Sequence, residues 1–547
     1  MVLKEGSNRS RGKEALHGNI TAAKVVSESV RSSLGPKGMD KMLVDNFGDV
    51  TITSDGRTIL DEMDIQHPAA KMMVEVAKTQ DNEAGDGTTS AVIIAGELLA
   101  KAEELLDKNI HPTIIIDGYR LAAEKALETL EKIAISIDLK VSDYLKKAAT
   151  TSMGSKIVSE YKEYLADITV KAMLAVAEKQ NGGYKVDVDD VKVEKKTGES
   201  LKDTSLIKGI VLDKEIVNSG MAKRVEKAKI ALIDASLEIE KTELDAKISI
   251  ESPDQIEAFL KEEETMLQNM ANKILASGAN VVVCQKGIDD MEQHFLSKKG
   301  IIAIRRAKKS DMEKLAKATG GKIVSNLNDI SSSDLGWAAL VEERRIGDDK
   351  MTFVEGCKNP KAVTILIRAG TQRMTAEAER SIHDALCVIR DLIQEPKIVA
   401  GGSAPELEMA SALRKYAETM SGREQLAVRV FAEALESITV TLAENAGVDP
   451  VNILVDLRSR HDKGETWAGI EVLEGKIQDM SKANIFEPLS VKKQIIKSAN
   501  EAASMILKID DIISATKMKA PPMPPGGMGG GGMGGMGGMG GYPGMGE

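Results

Sequence analysis

The stretch Glu83–Val92, "EAGDGTTSAV", places two glycines, a carboxylate and two threonine hydroxyls at positions 85–89, directly ahead of a run with helical spacing. A helix N-terminus offers unpaired N–H groups and a partial positive charge, so it favours phosphate. Gly85 and Gly87 let a backbone come close, and Thr88 and Thr89 add hydroxyl donors. Asp86 repels a bare phosphate, but a Mg²⁺ between the two takes carboxylate and phosphate oxygens together. The stretch therefore reads as a Mg-nucleotide phosphate site. Taken alone, it reads at least as well as a polar helix start capped by Asp or Thr, because Gly-Asp-Gly turns are common. No GxxxxGK[ST] pattern occurs in the chain, which disfavours an ordinary P-loop ATPase. A second glycine turn lies upstream in "SSLGPKGMDKM", where Gly35 and Pro36 either stack on a nucleotide or simply break the chain.

Around this stretch the spacing is helical. Apolar residues follow Pro68 at Ala69, Met72, Met73, Val76 and Ala77, and Pro68 suits a first helical position. After the glycine turn, Val92, Ile93, Ala95, Leu98, Leu99, Ala102, Leu105 and Leu106 predict a helix of roughly twenty residues. The preceding "DVTITSDGRTIL" reads as a short β element with a tight turn at Asp55 and Gly56. Further on, "SPDQIEAFLKEEETMLQNMANKILASG" predicts a helix with Ser252 as N-cap, Pro253 in its first turn and Gln255 completing a capping box. Its apolar stripe runs through Ile256, Phe259, Leu260, Leu267, Met270 and Ile274, and Gly278 suits its stop. "NVVVCQ", "IIAIRRA" and "KIVS" read as strands. A helix over 288–299 and another capped by Ser310 and Glu313 lie between them, so this stretch predicts an α/β domain. From about Ile398 long helices return.

The 547 residues predict about three to four domains. Aromatics are only 3%, so the cores must be built from Ala, Val, Ile, Leu and Met. Eighty-four acids against 73 bases, interspersed, leave a net charge of −11 and no basic stripe, which argues against nucleic acid as a partner. Cys284, Cys357 and Cys387 show no CxxC or His/Cys ligand spacing and read as free thiols in a reducing compartment. The N-terminus lacks a signal-peptide pattern and no apolar run of about 18 residues occurs, so a cytoplasmic protein with no membrane partner is expected. Residues 526–547 are almost entirely Gly and Met and are expected to be disordered.

In order along the chain stand "VRSSLGPKGMDKML", "ITSDGRTIL", "EAGDGTTSAV", "CQKGIDD", "RSIHDALCVIRD", "VAGGSAPELE", "LAENAG" and "EPLSVKKQ". Together they resemble the group II chaperonins, the archaeal thermosome and its eukaryotic cytosolic relatives. The resemblance covers about residues 12–517, and the Gly/Met tail is of the archaeal type. It implies an α+β multidomain subunit with a mostly helical equatorial ATPase domain (1–144 and 400–517). A small intermediate hinge domain (145–211 and 367–399) would follow, then an α/β apical domain (212–366). A helical lid protrusion would occupy about 245–278, with a disordered tail at 518–547. The implied activity is that of an ATP-dependent chaperone that encloses non-native client proteins in a double ring with a built-in lid. The implied ligands are ATP and Mg²⁺. The ring would be homo- or hetero-oligomeric, with paralogous subunits.

Residue roles implied by the resemblance follow by position. Asp86 corresponds to the Mg²⁺ ligand, with Gly87, Thr88, Thr89 and Ser90 around the phosphates. Gly35 and Pro36 resemble nucleotide contacts in the first glycine turn. Ser155 and Lys156 match a phosphate contact and a lysine that senses the γ-phosphate. Gly402 falls near the ribose and adenine, and Glu487 and Lys492 match contacts on the nucleoside side. Asp384 matches the hinge aspartate that orients the attacking water, with Asp55 as the other carboxylate near the γ-phosphate. Four positions depart from the family pattern: Ser54, Arg57, Ala369 and Ser403. Loss of a glycine at 369 and 403 predicts stiffer turns, and Arg57 a cation near the phosphate site that either binds product or crowds the pocket. Slower turnover follows from these, or membership of a mixed ring. An alternative is a structural ring or filament whose ATPase is slow or vestigial.

Overall fold

A computed structural model describes residues 8–139, 143–180, 183–239, 253–358 and 360–514. Ser252, the earlier part of the expected protrusion (245–252) and the Gly/Met tail lie outside the described residues. Three large hydrophobic clusters organise the chain.

The first is helical and draws on both ends of the sequence. Helices Lys13–Arg31, Pro68–Ala84, Thr88–Asp107 and Pro112–Ile133 pack with Ala404–Thr419, Glu424–Ala446 and Leu489–Leu507. Its centre is aliphatic, with Ile93, Leu98, Leu99 and Ile495 nearly or fully buried. A small antiparallel sheet ties the two ends together: Lys397–Ala400 lies between Ile135–Ser136 and Phe486–Pro488, with Val399 opposite Glu487.

The second cluster surrounds a mixed sheet. Ile302–Ile304, Val281–Cys284 and Ile323–Val324, the strands of the strand–helix alternation, join Arg224–Ile233 in a parallel half. The other half was not legible from that alternation. There Gly336–Ile346, Asp349–Glu355 and Gly209–Leu212 continue the sheet antiparallel. Helix Pro253–Ser277 buries only Leu267, Ala271, Ile274 and Ser277, whereas Ile256, Phe259 and Leu260 stand exposed. Helix Lys309–Thr319 is preceded by Lys308 with no side-chain cap, so Ser310 lies inside the helix and does not cap it.

The third cluster is built on a three-stranded sheet in which Val363–Ala369 lies between Val191–Thr197 and Ser205–Ile207. Helices Asp143–Met153, Lys162–Val176 and Gln372–Gln394 cover it. Ala369 ends the central strand opposite Thr197. Its φ is not positive, so no glycine is needed there and the expected stiffening does not arise. Asp55 is also corrected: it does not sit in a tight hairpin turn but caps helix Gly56–Asp61, accepting from Thr58 N. Among the described residues no helix is long and apolar enough to cross a membrane.

Candidate functional site

The glycine loop is the corner between helices Pro68–Ala84 and Thr88–Asp107. Gly85 at φ 71° ends the first and Gly87 at φ 78° precedes the second, both in the left-handed region that side chains disfavour. Space is equally short: a Cβ on Gly85 would lie 2.2 Å from Cys387 Cβ, and one on Gly87 2.7 Å from Ile495. The corner can be this tight only without side chains. No side chain caps helix Thr88–Asp107, which leaves the N–H groups of its first turn available to an anion. Asp86 accepts from Gly87 N at 2.7 Å, and its own carbonyl accepts from Gln80 Nε2 at 2.8 Å.

This turn lines a cavity of about 620 Å³. All fourteen residues given a site role by the resemblance line it: Gly35, Pro36, Asp55, Asp86, Gly87, Thr88, Thr89, Ser90, Ser155, Lys156, Asp384, Gly402, Glu487 and Lys492; Gly85, at the corner itself, does not. They come from stretches scattered between residues 35 and 492. Asn445, in "LAENAG", secures one wall by donating to the carbonyls of Arg31 at 3.2 Å and Leu34 at 2.9 Å, just before the Gly35 turn. Ile470 N donates to Gly402 O at 2.9 Å, and both residues line the cavity.

At the glycine-loop end the charge is unbalanced. Lys156 pairs with Asp384, both nearly buried. Asp55 accepts from Thr88 Oγ1 at 3.2 Å while still capping its own helix. Burial disfavours charge on Lys156, yet Asp384, Asp86 and Asp55 outweigh it and raise its pKa. Asp384 is held well above the usual carboxylate range by burial first, with Asp55 and Asp86 reinforcing it and Lys156 only partly opposing. Three carboxylates thus face one ammonium, an excess that a divalent cation matches. Among the described residues no group of three or more His, Cys, Asp or Glu side chains forms a ready-made metal cage. The donor set nevertheless fits Mg²⁺, which keeps waters and substrate phosphate oxygens beside one or two carboxylates.

The other end is a buried triad. Lys492 Nζ lies 2.7 Å from both Glu406 and Glu487. Burial, with Glu406 close by, raises the Glu487 pKa against the pull of Lys492. Glu406 was missed as a site residue although "VAGGSAPELE" contains it. Nothing in spacing marks it, because its partner is 86 positions away.

The departures look different in three dimensions. Arg57 does not line the main cavity; it pairs with Asp81 and lines a second cavity that shares only Asp55 and Asp384 with the first. It therefore does not crowd the glycine-loop end. Ser403 adopts φ 61° despite its side chain, and its hydroxyl is 2.9 Å from that of Thr439. Ser54 Oγ donates to Ser155 O at 3.4 Å. Cys284, Cys357 and Cys387 are free and buried, and burial pushes the Cys387 thiol up to about 12.

Sequence comparisons place the chain in a known family. The sequence model of the TCP-1/cpn60 chaperonin family matches residues 26–517. The chain is 59% identical over 519 residues to thermosome subunit beta of Thermococcus kodakarensis, covering 95% of each. It is 58% identical over 519 residues to the thermosome subunit of Pyrococcus abyssi, covering 95% of this chain and 94% of that one. Thermosome subunit beta of Archaeoglobus fulgidus is 57% identical over 515 residues, 94% of each. The chain belongs to the TCP-1/cpn60 chaperonin family.

Proposed function

We propose that this chaperonin is driven by Mg-ATP bound in the 620 Å³ cavity and encloses non-native client proteins within a double ring closed by its own lid. The observation that carries the reading is the joint placement of an uncapped helix N-terminus and a carboxylate excess in one cavity. In this reading the first-turn amides and hydroxyls of Thr88, Thr89 and Ser90 receive the phosphates. Asp86 holds Mg²⁺, which when bound neutralises charge on the phosphate oxygens. Lys156 adds a cation at the γ-phosphate, and Ser155 lies beside it. Asp384 and Asp55 orient the attacking water. Gly35, Pro36, Gly402, Glu487 and Lys492 enclose the nucleoside. Because Asp384 stands on the helix of the small-sheet core, hydrolysis depends on how that core sits over the cavity.

The equatorial, intermediate and apical divisions would follow the three cores. The rings would be homo- or hetero-oligomeric with paralogous subunits, with the exposed end of helix Pro253–Ser277 contributing to the lid.

The test is phosphate release from ATP by the assembled chain, with Mg²⁺ and with chelator, beside Asp384→Ala. Hydrolysis should require Mg²⁺, and the variant should lose about 10²- to 10⁴-fold in kcat while still binding nucleotide. Electron microscopy should show stacked rings that shut with Mg-ATP and a γ-phosphate mimic. Turnover that is absent or indifferent to Mg²⁺, in rings that never close, would favour a structural role.

A further inference from the structure

On helix Gln372–Gln394, Asp384, Cys387 and Asp391 fall at i, i+3 and i+7 and share a face. The helix meets the glycine loop at two points along this side. Cys387 fills the space that any side chain on Gly85 would need. One turn further on, Arg390 Nη2 donates to the backbone oxygen of Glu83 at 2.5 Å. Arg390 is itself held: its Nε donates to Asp391 Oδ1 at 2.9 Å. The second Asp391 oxygen accepts from Ser490 Oγ at 3.1 Å. Ser490 lies in the first turn of helix Leu489–Leu507, which carries Lys492. Three elements that bear cavity residues therefore meet at the Arg390–Asp391 dipeptide, although neither residue lines the cavity.

We propose that Arg390, held by Asp391, is a positioning residue that sets Asp384 against Asp86 by tying the small-sheet core's helix to the glycine loop. The proposal rests on the Mg-ATP reading of the cavity. The physical need is plain. Asp384 alone of the three carboxylates is carried by an element outside the helical core, so the contacts between the two cores set its place against Asp55 and Asp86. Arg390 lies six residues from Asp384, about 9 Å along the helix axis. A tie at that distance resists rotation of the helix about the Cys387–Gly85 contact. Its acceptor is a backbone carbonyl, so the loop is held without placing another charge at the phosphate site. A misplacement near 1 Å at the reacting centre costs about 10²-fold in rate.

The experiment measures steady-state ATP hydrolysis and equilibrium nucleotide affinity for the full, assembled chain and for Arg390→Ala, Arg390→Lys and Ser490→Ala. Arg390→Ala should lower kcat about 10- to 100-fold with affinity within about threefold of the parent. Arg390→Lys should recover part of that loss. Ser490→Ala, which frees one oxygen of Asp391, should show a smaller fall of the same kind. Should Arg390→Ala fail to assemble, the other two variants decide by the same split. Unchanged kcat in variants of an active parent overturns the positioning role, as does a parallel loss of kcat and affinity. A parent that does not hydrolyse ATP overturns the Mg-ATP reading instead.

Discussion

Glu292 is fully buried on helix Asp290–Lys298, and neither of its carboxylate oxygens has a hydrogen-bond partner among the described residues. Burial, reinforced by Asp289, lifts its pKa from 4.5 to about 8. Between those values the unfolded chain has released a proton that the folded chain keeps, so stability falls as pH rises through that window. Glu292→Gln, uncharged throughout, should match the parent near pH 5 and exceed it near pH 8 by about 1–3 kcal/mol, read from denaturant midpoints. Nothing in "GIDDMEQHF" marks this residue, since a glutamate among charged neighbours reads as surface. Glu406 and Gln80 were illegible for the same reason: their burial is imposed by distant elements. Asp55 shows the opposite case. Its local chemistry, an Asp ahead of a helix, was there to be read as a cap, but the six-residue helix is too short to leave a periodic signal.

At the scale of elements, helix Pro253–Ser277 carries one apolar stripe in two environments. Ile256, Phe259 and Leu260 are 47%, 42% and 58% exposed, while Ile274 is fully buried. Period gives the stripe but not what covers it. Replacing Ile256, Phe259 and Leu260 together by serine should change stability by less than about 1 kcal/mol. Ile274→Ala should cost about 2–5 kcal/mol, because it opens a cavity. Chemical denaturation followed by circular dichroism separates the two outcomes. A large loss from the serine triple would show that this end is covered. Helix Thr88–Asp107 was legible almost to its ends because apolar residues recur at three and four along its second half, although Ala91–Gly96 are buried on every side. The antiparallel half of the mixed sheet was not, since strand partners are set by packing and turn geometry and not by strand–helix order alone.

Across the whole molecule the cores are joined by buried charge as well as by chain. Lys192, on strand Val191–Thr197, reaches Asp311 of helix Lys309–Thr319 at 2.7 Å and donates to Val211 O at 2.8 Å. Asp311 is 7% exposed, so Lys192→Met would strand a buried carboxylate. Loss of about 3–5 kcal/mol is expected, seen as a lower thermal midpoint, with most of it restored when Asp311→Asn is added. A single variant as stable as the parent would show that the pair adds nothing to the junction.

The sequence by itself determined the long helices flanking the glycine corner, the corner itself, strands Val281–Cys284 and Ile302–Ile304, and the family, because each rests on contiguous residues whose period or backbone freedom acts locally. It also named, through the family motifs, fourteen of the residues that line the cavity. Only the tertiary structure decided their electrostatics: which carboxylates share one ammonium, that Arg57 faces a second cavity, and that Arg390 ties two elements together. Those contacts join positions up to several hundred residues apart, and burial in a low-dielectric interior sets their strength. No local pattern in the chain encodes either.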